Sequence, residues 1–237
     1  MMFAFLAAPL LLAMQSGMKP EETERWTPVP SAVEAPEGRP PSDAEVLFDG
    51  RSLDGWQAKD GGRAGWAIGD GVLRVVPKAG DITSKATFGD VQLHLEWRTP
   101  VSDKEGQQRS NSGVFLMGLY EVQVLDSYRA ATYVNGQAGS IYKQHPPLVN
   151  ASRPPRAWQS YDIVFRAPRF ENGKLVRPAR MTVFHNGVLV QDNAELAGPT
   201  LYIGLPEYKP HAESLPITLQ DHGDPVEFRN IWARRLR

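Results

Sequence analysis

The sequence predicts an all-β fold, and three observations carry that expectation. Segment after segment alternates apolar and polar residues with a period of two, the pattern of a strand with one buried face. Gly (21) and Pro (20) are in excess among 237 residues, roughly 17% together where ~12% is usual, which favours many turns over long helices. Outside an apolar run at residues 2–14, no stretch sustains a 3.6-residue apolar stripe over three helical turns.

Residues 2–14 (MFAFLAAPLLLAM) are too short for a bilayer-spanning helix, which needs ~20 residues. Followed by the small residues Ser16 and Gly17, the run reads as the hydrophobic region of a secretory signal over residues 1–17, although no Lys or Arg precedes it. An exported protein, periplasmic or extracellular, with no membrane span in its mature chain is therefore expected. Residues 18–43 hold Pro20, Pro28, Pro30, Pro36, Pro40 and Pro41 among charged and small residues. Repeated prolines remove backbone donors and fix φ, so this stretch reads as an extended linker. One folded domain is expected over 44–237, long enough for a single large core.

Within that domain, residues 71–76 follow the turn Gly69-Asp70-Gly71. Residues 91–98 place Val91, Leu93, Leu95 and Trp97 on one face and Gln92, His94, Glu96 and Arg98 on the other. The stretch 113–125 sets Val122 and Val124 opposite Glu121 and Gln123, and 161–166 alternates less cleanly. In 180–191, Asn186-Gly187 stands between apolar β-formers, a strong hairpin signal. Residues 217–220 and 226–234 flank a tight turn at His222-Gly223-Asp224-Pro225. Long alternating strands of this kind suggest two packed sheets.

Composition excludes several functions. A formal net charge of −1 gives no electrostatic footprint for nucleic acid. The absence of Cys removes disulfides, thiolate metal sites, a Cys nucleophile and a lipid-modified N-terminal Cys. Phosphate-binding glycine loops, H-E-x-x-H and G-x-S-x-G are all missing. The histidines at 94, 145, 185, 211 and 222 show no close ligand spacing. His185 beside its turn is expected to be solvated, and His145 to be a loop residue. Trp56, Trp66, Trp97 and Trp232 sit in apolar surroundings and are expected in the core.

The polar positions Gln92, His94, Glu96, Glu121 and Gln123 are poor in Lys and rich in groups that bind sugar hydroxyls or move protons. They read either as a solvated sheet face or as one concave functional face.

Four blocks are more informative: LFDGRSLDGW at 47–56, NSGVF at 111–115 with YEVQVLDS at 120–127, GSIY at 139–142, and LQDHGDPVEFRNIW at 219–232. Over about residues 44–236 they resemble, in order and spacing, the 3-keto-disaccharide hydrolase domain family. Departures are modest: Gln159 stands where the family more often has Asn, and Ala233 where it has Val. The resemblance implies a two-sheet jelly roll of the concanavalin A-like lectin/glucanase type, in exported bacterial proteins. It also implies action on glycosides oxidised to a ketone at C3, by elimination across C1–C2 followed by hydration.

Such chemistry needs a general base near the C2 hydrogen, a donor or cation at the developing enolate oxygen, and a proton for the leaving oxygen. Glu121 is the first candidate for the base, His222 for an acid or second base, and Arg229 for the enolate. Asn111, Gln123, Gln220, Glu96 and His94 are candidates for binding the substrate, and Tyr142 or Trp158 for stacking on a ring. A divalent cation (Ca, Mg or Mn) held by oxygen ligands is a further candidate, with no ligand set assigned. The competing reading is a carbohydrate-binding module of the same fold, without catalysis.

Overall fold

Val91, Leu93, Leu95 and Trp97 are all buried, so β6 (Val91–Arg98) gives one whole face to the core, as its alternation requires. In the computed structural model, which describes residues 19–236, β6 lies inside an antiparallel eight-stranded sheet. Its order runs β13 (Val188–Glu195), β12 (Arg180–His185), β9 (Gln159–Arg166), β6, β15 (Glu227–Arg235), β4 (Val72–Arg74) and β3 (Ala67–Gly69), and β1 (Glu45–Phe48) also pairs with β15. Register places Leu93 opposite Ile163 and Leu95 opposite Tyr161, so inward residues of neighbouring strands pack side by side.

A second antiparallel sheet has the order β2 (Trp56–Ala58), β5 (Ile82–Phe88), β14 (Leu215–Leu219), β7 (Asn111–Leu116) and β8 (Tyr120–Leu125). Its inward residues Ile82, Val114, Val122, Val124, Ile217 and Leu219 join those of the larger sheet in one core. The result is a jelly-roll sandwich. Tyr161 crosses this core, its hydroxyl donating to the Gln123 carbonyl at 2.7 Å. A separate hairpin pairs β10 (Arg169–Glu171) with β11 (Lys174–Arg177).

Asn186 and Gly187 adopt positive φ of 54° and 78° and close the β12–β13 hairpin, the geometry that makes this dipeptide a turn signal. His185 departs from expectation. Met181, Val183 and His185 all point inward from β12, and His185 is fully buried. Its Nε2 pairs with Gln159 Oε1 at 2.8 Å, and burial pushes its pKa down to about 4. The alternation of β12 outweighs the neighbouring turn. Trp56, Trp66 and Trp97 are buried as expected, and Trp232 is buried against the outward-facing His94.

Two units are distinguished among the described residues, one ending at Val33 and one beginning at Glu34. In the first, Pro20–Thr23 form a 3-10 helix, and Trp26 and Val29 are exposed. The second begins ahead of residue 44: Glu34 and Ser42 exchange hydrogen bonds of 3.0 and 2.9 Å. The proposed signal at residues 1–17 lies outside the described residues. Among the described residues no helix is long and apolar enough to cross a membrane.

Candidate active site

The β7–β8 hairpin builds the floor of a hollow of about 470 Å³. Because Val114, Val122 and Val124 turn into the core, Asn111, Phe115, Glu121 and Gln123 turn out on the opposite face. Chain segments cover that face, which is why every residue of β8 is buried. Backbone bonds from Gln123 to Ser140 (3.0 Å), Gly139 to Gln123 (3.0 Å) and Tyr142 to Glu121 (3.3 Å) lay residues 139–142 along the free edge of β8. Buried Gln191 on β13 fixes this segment, its amide donating to Gly139 O at 3.0 Å and Pro146 O at 3.1 Å.

Tyr133, Tyr142 and Lys143 thereby line the hollow. The two phenol oxygens are 2.6 Å apart, and burial raises the pKa of both. One hydroxyl spends its hydrogen on the other, leaving one hydrogen for a ligand. Gly136 permits this packing: a β-carbon there would stand 2.1 Å from the Tyr133 ring. Opposite, Thr200 Oγ1 accepts the Glu121 amide at 3.0 Å, and Tyr202 lies 4.3 Å from Lys143 Nζ by its ring centre. Gln220 and His222 enter from the turn after β14.

The amides form a chain. Gln123 Nε2 donates to Asn111 Oδ1 at 3.2 Å, and Asn111 Nδ2 donates to Gln107 O at 2.8 Å. Gln220 also lines the hollow, and its Oε1 is buried without a hydrogen-bond partner.

Glu121 is the electrostatic outlier. The residue is 4% exposed, and burial, with a contribution from the Asp81 charge, pushes its carboxyl up to about 8. Among the described residues no hydrogen bond offsets this, so the neutral form is favoured at neutral pH. A carboxyl that stays protonated near neutrality can donate a proton to a leaving oxygen.

Of the residues expected from sequence, the hollow gathers Glu121, His222, Asn111, Gln123, Tyr142 and Gln220. Arg229, Glu96, His94 and Trp158 are elsewhere, which corrects the expectation of one shared face. They stand on the outer side of the eight-stranded sheet, across the core. Arg229 Nε donates to Glu96 Oε2 at 2.6 Å and its guanidinium lies 4.1 Å from the Trp158 ring centre. His94 Nδ1 pairs with Asp162 Oδ1 at 2.7 Å, and Asn230 reaches both Glu96 and His94. These partners consume one another, a structural network. The error has a physical source: period-two alternation shows which residues share a face of one strand, not which sheet that strand joins.

Lys143, Tyr133, Tyr202, Thr200 and Gln107 were not anticipated. They lie outside the strands, Gln107 in a short 3-10 helix at Gly106–Gln108, so no period-two pattern marks them. The only signal was adjacency, since Lys143 follows Tyr142.

A divalent cation would find a single carboxyl in this hollow, one favoured in its neutral form. Among the described residues no three His, Asp or Glu side chains are grouped to ligate a metal. The donor set fits sugar hydroxyls better than Ca, Mg or Mn.

Residues 43–234 match the 3-keto-alpha-glucoside-1,2-lyase-like domain. The chain belongs to this family. The motif resemblance is thereby borne out, and membership places the chain among carbohydrate-active proteins. A crystal structure of a candidate glycosyl hydrolase from Parabacteroides distasonis is 47% identical, with a TM-score of 0.89 over 94% of this chain and 98% of that one. Two further candidate glycosyl hydrolases from the same organism share the fold. One is 20% identical (TM-score 0.61, covering 82% of this chain and 94% of that one), the other 22% (0.56, 81% and 99%). No functionally curated protein matches the chain.

Proposed function

We propose that this protein cleaves the glycosidic bond of 3-keto-glycosides by proton transfer, elimination and hydration. The observation that carries the reading is the buried, hydrogen-bond-free Glu121 carboxyl facing a hollow lined by amides, phenols, Lys143 and His222. Family membership supports the substrate class.

A C3 ketone acidifies the C2–H bond, because the electrons left behind delocalise onto the ketone oxygen. In the proposed cycle His222 takes the C2 proton. Lys143 and the amide chain stabilise the enolate oxygen in place of the distant Arg229. The enolate then expels the glycosidic oxygen from C1, and neutral Glu121 protonates it, leaving a C1–C2 double bond. The Glu121 carboxylate so formed removes a proton from water as its oxygen adds to C1, and His222 returns its proton to C2. Both residues end as they began, and the sum is addition of water across the glycosidic bond. Sequence alone suggested Glu121 as the base; its elevated pKa favours the acid role at neutral pH. No step is routed through a metal.

Export is proposed on the apolar run at residues 2–14, and N-terminal sequencing of the protein from a periplasmic fraction tests it.

Release of p-nitrophenol from 3-keto p-nitrophenyl glucoside tests the enzymatic reading. Wild type is expected to release it, and Glu121→Gln and His222→Gln each to lose at least ~10²-fold in rate. Binding of the keto-sugar by wild type without any release would establish a binding module instead.

A further inference from the structure

Asp81 stands one residue before β5, where the β5–β14 ladder ends. The last register pair is Leu219 with Ile82, so Gly80 and Asp81 face Gln220 and Asp221 just beyond it. Side chains take over from the backbone here. Asp81 Oδ1 accepts the amide of Asp221 at 2.9 Å. Asp221 answers with Oδ2 accepting the amide of Gly80 at 3.0 Å and Oδ1 the amide of Gly223 at 2.9 Å. The two carboxylates thus hold the backbone on both sides of His222. Asp81 also lines a smaller hollow of about 280 Å³ on the same sheet, and Phe115 lines both hollows.

We propose that Asp81 is a positioning residue that holds the His222 turn in place beside Glu121 and so joins the two proton-handling groups. The inference rests on the roles given above to Glu121 and His222. Its negative charge adds to the burial that keeps Glu121 protonated. The other titratable groups facing Glu121 are Lys143, Tyr133, Tyr142, Tyr202 and His222, all lining the same hollow. A plain turn cap would fix the backbone and leave the Glu121 titration untouched.

Asp81→Asn keeps the oxygen that accepts the Asp221 amide and removes the charge; Asp81→Ala removes both. The experiment is a carbon-detected NMR titration of the Glu121 carboxyl in the full chain, assigned with Glu121→Gln, together with exchange of the Asp221 amide. In Asp81→Asn the Glu121 midpoint is expected to fall by about 0.5–1 pH unit, with Asp221 exchange unchanged. In Asp81→Ala the Asp221 amide is expected to exchange at least ~10-fold faster. A Glu121 midpoint that stays within about 0.2 pH unit in Asp81→Asn, or an Asp221 amide equally protected in Asp81→Ala, overturns the proposal. Both readouts work without turnover. If wild type releases no p-nitrophenol while the midpoint still moves, the proposed reaction fails and the Asp81 linkage stands.

Discussion

Gly113 lies directly against the Glu121 carboxyl: a β-carbon at Gly113 would stand 2.6 Å from Glu121 Oε1 and 2.8 Å from the Phe115 ring. The missing side chain on β7 is the space that the carboxyl of β8 occupies. Gly113→Ala is therefore expected to displace Glu121, reducing kcat/KM for the 3-keto substrate by at least ~10²-fold. The accompanying destabilisation should be about 1–3 kcal/mol by chemical denaturation. Full activity in this variant would show that the carboxyl position does not matter.

Glu121 is expected to make both stability and activity depend on pH. Its pKa is about 8 in the folded protein against an ordinary 4.5, so between these values the folded state holds a proton that the unfolded chain releases. The stability tied to that proton is complete below pH 4.5 and declines as pH rises to about 8. Glu121→Gln abolishes the dependence. Its stability relative to wild type should increase from pH 4.5 to pH 8, by about 5 kcal/mol at most. The wild-type kcat/KM should fall above pH 8 as the acid ionises. A rate that instead climbs through this range assigns Glu121 as the base.

In the proposed cycle Lys143 takes the role that the sequence suggests for Arg229. Lys143→Met keeps the length of the side chain and removes the charge, and should lower kcat about 10²–10³-fold if the ammonium stabilises the enolate. A change confined to KM would limit Lys143 to holding Tyr202 and the substrate.

Arg229→Met should leave kcat/KM within about twofold of wild type, since Arg229 and its partners Glu96 and Trp158 lie on the outer side of the eight-stranded sheet, away from the hollow. The pair is partly exposed, so the stability loss should be about 1 kcal/mol or less. A large loss of activity with intact folding would return Arg229 to the reaction.

Chelator should leave p-nitrophenol release unchanged, because protons and hydrogen bonds carry the proposed steps. Loss of rate restored by Mn or Ca would replace the Lys143 role with a cation.

The alternation of β6 and the turn at Asn186-Gly187 were legible because both signals are local. The same reasoning extended to the end of β12 would have placed His185 inside, with Met181 and Val183. Sheet membership was not legible. Glu96 and Glu121 are both polar positions in alternating strands, yet β6 pairs with β9 and β15 while β8 pairs with β7. That difference depends on contacts distant in sequence, which periodicity does not encode. Five expected residues share the hollow because β7, β8 and the turn after β14 are neighbours, and Tyr142 joins them from the segment along the edge of β8; Lys143 and Tyr133 escaped notice because their segments carry no repeat.

The segment at 139–142 runs beside the terminal strand β8 without being a strand itself, held by three backbone bonds and by Gln191. Such a seam shields an open sheet border from intermolecular pairing. Because backbone atoms make these bonds, the outward side chains of the segment can change while Ile141 stays in the core and the strands bearing Glu121 and Gln123 stay as they are.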